Sequence, residues 1–64
     1  MQLRAIHKDD GYEIRQGNDL VGFIDENGVL SGISPQTGYS KEICPTGNNG
    51  EAKRILKKWL KDNS

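Results

Sequence analysis

The segment from Asn48 to Lys61 constrains the fold more than any other, because it alone shows an unambiguous helical period. Its apolar residues recur at intervals of three and four positions. They are Ala52, Ile55, Leu56, Trp59 and Leu60. At roughly 100° per residue they span an arc of about 140°, so the pattern predicts an amphipathic helix over residues 49–61. Asn48 as N-cap with Glu51 three residues later has capping-box spacing, with Asn in place of Ser or Thr.

The chain before this helix alternates between short apolar runs and turn residues, which is typical of β-strands joined by hairpins. Four strands are predicted at residues 2–8, 12–16, 20–25 and 29–33. Residues 39–43 are compatible with a fifth strand or a loop. The pairs Asp10-Gly11 and Asn27-Gly28 are turn signals between strands. Pro45 has no backbone N–H to donate, so we expect any fifth strand to stop before it.

These elements predict an α+β fold in one domain, residues 1–64. Short connections favour an antiparallel β-meander of three to five strands, with the C-terminal amphipathic helix packed on one sheet face. Gly22 and Gly32 lie inside strands, where a glycine indicates a bulge or a close approach of the helix. The alternation of side chains along a strand predicts that Tyr12 and Ile14 lie on the same sheet face, and that Phe23 and Val21 also share a face. Alternation does not decide which group faces the helix, since a one-residue slip exchanges the two faces.

The residues with metal-binding or catalytic potential are few. Cys44 is the only cysteine and His7 the only histidine, so no internal disulfide and no ordinary four-ligand zinc site can form. No recognisable motif joins either residue to a catalytic partner. We interpret His7 as a strand histidine and Cys44 as a half-buried apolar residue. We therefore expect no cofactor, no metal and no enzymatic activity.

Composition also suggests where the protein works. One unpaired cysteine is more typical of a reducing compartment than of secreted proteins, and the sequence has neither a signal-peptide pattern nor an apolar run of about 18 residues. We expect a cytoplasmic protein without a membrane segment. Reading frames this short are frequent in bacteria, phages and mobile elements, so a phage or mobile-element origin is part of the working hypothesis.

Charge is balanced overall but divided along the chain. Residues 1–50 carry four basic and seven acidic residues, a net charge of −3, whereas residues 51–64 carry five basic and two acidic residues, a net charge of +3. This asymmetry predicts a dipole with a positive helix and a more negative sheet. It bears on partners and on electrostatic steering, and not on the fold.

The candidate partner-binding residues combine the helical cations with the aromatic residues of the strands. They are Lys53, Lys57, Lys61, Arg54, Lys58, Tyr12, Phe23 and Tyr39. The cations have no interleaved acid, so they suit phosphates or an acidic protein surface. The competing interpretation is a solvated outer helix face that only aids solubility. Two aromatic residues on the sheet face away from the helix would form an interface patch.

The leading functional hypothesis is a small, non-enzymatic binding or regulatory module, a regulator or inhibitor that acts by protein–protein interaction. A length too short to build a cleft and the missing catalytic motif motivate it. The partner is another protein or a second copy of the chain, because apolar residues on both strand parities predict that both sheet faces are covered. The alternative is a nucleic-acid-binding domain that uses the basic helix face or the sheet. Overall neutrality disfavours that alternative, since dedicated DNA-binding domains are usually basic.

Overall fold

The computed structural model describes residues 2–63 and shows a five-stranded antiparallel sheet followed by one helix. The strands are β1 (Leu3–Lys8), β2 (Gly11–Gln16), β3 (Asp19–Ile24), β4 (Val29–Ile33) and β5 (Ser40–Pro45), and the helix is α1 (Asn49–Asp62). Strand order in the sheet equals chain order, so the sheet is a meander. The helix packs against it, in contact with β4 and β1. The predicted fold class is confirmed.

The fifth strand forms and runs further than the sequence predicts. β5 continues through Cys44 to Pro45, and Pro45 pairs with Val29 of β4. We expected Pro45 to end the strand because it cannot donate to a ladder. β5 is the edge of the sheet, however, and an edge strand tolerates a residue without an N–H where no further strand pairs with it.

Side chains at the element ends explain where the elements begin. The Asp25 carboxylate accepts hydrogen bonds from the amides of Asn27 and Val29, at 2.9 and 3.0 Å, and so closes the β3–β4 hairpin. The Asn48 Oδ1 accepts from the Glu51 amide at 2.8 Å, which is the predicted N-cap. Within residues 2–63 no helix has both the length and the apolar character that crossing a bilayer requires.

The core lies between α1 and one face of the sheet. Its buried apolar residues are Ile14, Val21, Ile24, Leu30, Ala52 and Leu56. The two strand glycines let the helix approach. A Cβ at Gly22 would stand 2.7 Å from a Leu56 methyl carbon, and one at Gly32 would stand 2.5 Å from Trp59 Cε3. Both glycines therefore mark a close approach of the helix, which is one of the two roles that the sequence suggests for a glycine inside a strand.

A bulge in β3 separates Val21 from Phe23, which alternation predicts to lie on the same face of the sheet. Ile14 lies opposite Gly22, but the next residue of β2, Arg15, lies opposite Leu20, which leaves Val21 as the extra residue. Val21 is buried in the core, whereas Phe23 is half-buried and does not belong to the core cluster. Simple alternation fails here because a bulge changes the side on which the following residues emerge.

Candidate binding surfaces

The five helical cations form one continuous surface, which we call the basic face. It consists of Lys53, Arg54, Lys57, Lys58 and Lys61. It lies opposite the buried residues Ala52 and Leu56, as the helical period requires. Lys53 is half-buried and the other four residues are exposed. The structure thus brings the predicted helical site residues together, and their role in binding stays a prediction.

Four of these cations have no partner. Among residues 2–63, Lys53, Arg54, Lys57 and Lys58 make no ion pair and no side-chain hydrogen bond. Two cations of the sheet, Lys8 and Arg15, behave differently. The Glu13 carboxylate lies 3.2 Å from Arg15 Nε and 3.8 Å from Lys8 Nζ.

Acidic residues gather at one end of the sheet. The β1–β2 turn contributes Asp9 and Asp10, and the β3–β4 turn contributes Asp25 and Glu26. In a meander these two turns lie at the same end, and both line a shallow depression with the loop that leads into α1. We call this the acidic end. Four of the seven acidic residues that precede α1 therefore lie together, beside the N-terminal end of the helix.

The three predicted aromatic contact residues do not form one patch. Tyr12 lies on the helix side, packed against the core, with its ring centroid 5.1 Å from that of His7. Phe23 lies on the opposite side of the sheet. Tyr39 stands in the β4–β5 loop and is 79% exposed, the most exposed large apolar residue between residues 2 and 63. A shared aromatic anchor is thus not formed.

The sheet face away from the helix, the outer face, has no covering element within residues 2–63. One row across it runs Ile6, Glu13, Phe23, Ser31, Glu42. Phe23 lies between Glu13 and Ser31, so its neighbours in this row are polar. The outer face is a mixture of apolar and charged side chains and not a continuous aromatic surface.

A groove between α1 and β5 was not predicted. Its lining residues are Ile43, Arg54, Ile55, Lys58, Trp59 and Asp62. Trp59 lies at the edge of the core, with one edge of its ring against Gly32. The groove was missed because it needs Ile43 of β5 beside the helix, and no local pattern reports that proximity.

His7 and Cys44 lie at opposite edges of the sheet. The row that contains them runs through all five strands, from β1 to β5. At about 4.8 Å per strand they are about 19 Å apart along the sheet, so the two side chains cannot act together. Across residues 2–63, no three His, Cys, Asp or Glu side chains are grouped so that they could hold a metal ion.

The chain matches no protein-family model, no curated protein and no solved structure.

Proposed function

We propose that this protein is a small non-enzymatic binding module that docks on an acidic surface of a partner protein through its basic face. The observation that carries the proposal is the absence, within residues 2–63, of any partner for Lys53, Arg54, Lys57 and Lys58. Of the sheet cations within residues 2–63, Lys8 and Arg15 pair with Glu13, Arg4 donates to the Gly17 carbonyl, and Lys41 is unpaired. The basic face is left with charge that an external group can satisfy.

The arrangement is unfavourable for the isolated helix. Lys53 and Lys57 lie one turn apart, and like charges at this spacing cost a few tenths of a kcal/mol. Acidic residues at intervening positions would remove that cost. Facing an acidic partner, the same cations gain Coulomb attraction, which raises the association rate and selects against basic partners.

The acidic end favours a compact protein partner over a long polyanion. The helix spans about 21 Å and begins beside the turns that carry Asp9, Asp10, Asp25 and Glu26. A nucleic-acid duplex aligned with the helix would continue past its N-terminus and meet those carboxylates. An acidic protein patch of limited size can occupy the basic face and avoid them.

Nucleic acid is the second candidate function, because the same cations suit phosphates. The two candidates differ in their salt dependence. If about four phosphates are neutralised, the slope of log K against log salt should be about −3.6 on duplex DNA.

Fluorescence anisotropy with two labelled probes tests the proposal. One probe is a short peptide of aspartate and glutamate, and the other is a short DNA duplex, each titrated at low and at moderate salt. We expect the peptide to bind at low salt, and we expect Lys57→Glu to lower its affinity several-fold. Arg4→Glu is the matched control, because it makes the same change of charge at an exposed residue of β1.

The outcomes separate the candidates. Equal weakening by Lys57→Glu and Arg4→Glu would mean that net charge alone is sensed, and would sink the assignment to the basic face. Tight duplex binding with the steep slope would promote the nucleic-acid function. Failure of both probes to bind at low salt would refute both functions.

A further inference from the structure

The groove between α1 and β5, the Trp59 groove, combines an apolar wall with unpaired polar groups. Ile43, Ile55 and Trp59 supply the wall, and Arg54 and Lys58 stand at the rim. The Trp59 Nε1–H also has no acceptor among residues 2–63, and it is not a buried atom. Because this N–H is unpaired and accessible to solvent, it is available to a ligand.

We propose that the Trp59 groove binds a segment of the partner protein in which one large apolar side chain is flanked by carboxylates. The inference rests on the proposed function, since it names the kind of partner segment that the basic face recruits. The apolar side chain would contact the Trp59 ring and the two isoleucines. The carboxylates would meet Arg54 and Lys58.

The wall is held in place before any partner arrives. A Cβ at Gly32 would stand 2.5 and 2.6 Å from Trp59 Cε3 and Cζ3, and 3.1 Å from Ile43 Cδ1. The missing side chain at Gly32 therefore lets the ring and the isoleucine rest on the strand beside each other. Such preorganisation reduces the entropy lost on binding, and tryptophan and arginine are over-represented among residues that dominate interface energies.

The rim charges give the segment a direction. Arg54 and Lys58 are one turn apart and without partners, whereas Asp62, one further turn along, is acidic. Carboxylates of the segment should lie near Arg54 and Lys58. At the Asp62 end a carboxylate would be repelled, so a neutral or basic residue should follow there.

The edge of β5 argues that the segment binds through side chains and not as an added strand. β5 carries a bulge that leaves Ile43 as its extra residue, and it ends at Pro45, which cannot donate. Bulges and prolines protect edge strands against pairing with another chain. The groove beside the edge remains accessible to a side chain.

Nuclear magnetic resonance with two acidic peptides tests the inference. Both are short acetylated peptides of aspartates, one with a central leucine and the other with a central serine. Trp59 is the only tryptophan, so its indole ¹H–¹⁵N peak reports the groove unambiguously. We expect the leucine peptide to bind about tenfold more tightly than the serine peptide and to shift the indole peak.

Two exposed lysines on the same helix serve as matched variants. Lys58 lines the groove and Lys57 does not. We expect Lys58→Glu to weaken binding of the leucine peptide more than Lys57→Glu does. We also expect Lys58→Glu to reduce the preference for the leucine peptide over the serine peptide. An equal effect of the two variants would count against the groove.

Failure of the groove is distinguishable from failure of the proposed function. If both peptides bind with the same affinity and the indole peak stays in place, the basic face binds acids but the groove proposal is wrong. If neither peptide binds at low salt, the proposed function is wrong and the groove proposal falls with it.

Discussion

The two faces of α1 share one backbone but differ in how completely the chain itself uses their side chains. On the apolar face, Ala52 and Leu56 have no exposed surface. On the basic face, Arg54 and Lys57 are exposed and contact no opposite charge between residues 2 and 63. Substitutions on the apolar face should therefore change folding, and those on the basic face should change association.

The largest effect is expected at Leu56. Leu56→Ala removes a fully buried side chain that packs on Gly22, and such changes lower the free energy of unfolding by about 2–5 kcal/mol. A domain of this size rarely has more than about 3–5 kcal/mol in total. Urea unfolding followed by Trp59 fluorescence would measure the loss.

Lys57→Ala is the matched control, because it shortens a side chain on the opposite face of the same helix. Leu56→Met, which keeps the volume, should cost less than about 1.5 kcal/mol and remain measurable if the alanine variant is unfolded. An unchanged midpoint in Leu56→Ala would show that the helix does not cover the sheet at Gly22.

A smaller loss is expected where the helix rests on Gly32. Gly32→Ala puts a methyl group 2.5 Å from Trp59 Cε3, so the ring must move, at a cost of about 1–3 kcal/mol. The tryptophan emission should shift at the same time, because its surroundings change. Gly47→Ala is the control, since the nearest atom to the new methyl group, Glu51 Oε2, is 3.9 Å away. Identical emission and stability in the two variants would contradict the contact.

The smallest effect is expected on the basic face, and it has the opposite sign. Lys57→Gln removes a charge one turn from Lys53, so the free energy of unfolding should rise by about 0.2–0.5 kcal/mol at low salt. This increase should disappear at high salt, because salt screens the repulsion. Lys8→Gln should not stabilise, because Lys8 lies 3.8 Å from the Glu13 carboxylate. A loss of stability in Lys57→Gln would reveal a partner for this lysine within the chain.

Local sequence signals were sufficient to predict the helix and the hairpins of the first four strands. The apolar period from Ala52 to Leu60 and the Asn48 cap predict the helix, and the turn residues around Gly11 and Gly28 predict two of the hairpins. These features act between neighbours in the chain, within a few residues. The meander follows because short turns permit only adjacent, antiparallel strands.

Features that depend on two separate strands were predicted less well. The bulge that buries Val21 and separates it from Phe23 is a property of the β2–β3 pair, and the continuation of β5 to Pro45 depends on its position at the sheet edge. Among the site residues, the basic face follows from helical geometry. Whether two of Tyr12, Phe23 and Tyr39 share the sheet face away from the helix was left open, because that depends on which side each strand presents.

The sequence by itself determined the helix, its charged face and the turns that separate the first four strands, because periodicity, capping and turn chemistry are local. Only the tertiary structure decided which sheet face the helix covers, and that choice placed Gly22 under Leu56 and Gly32 under Trp59. It also brought Ile43 beside Ile55 to form the Trp59 groove. Burial of apolar area acts between distant residues and has no direction along the chain, so its outcome is visible only when all the elements are packed together.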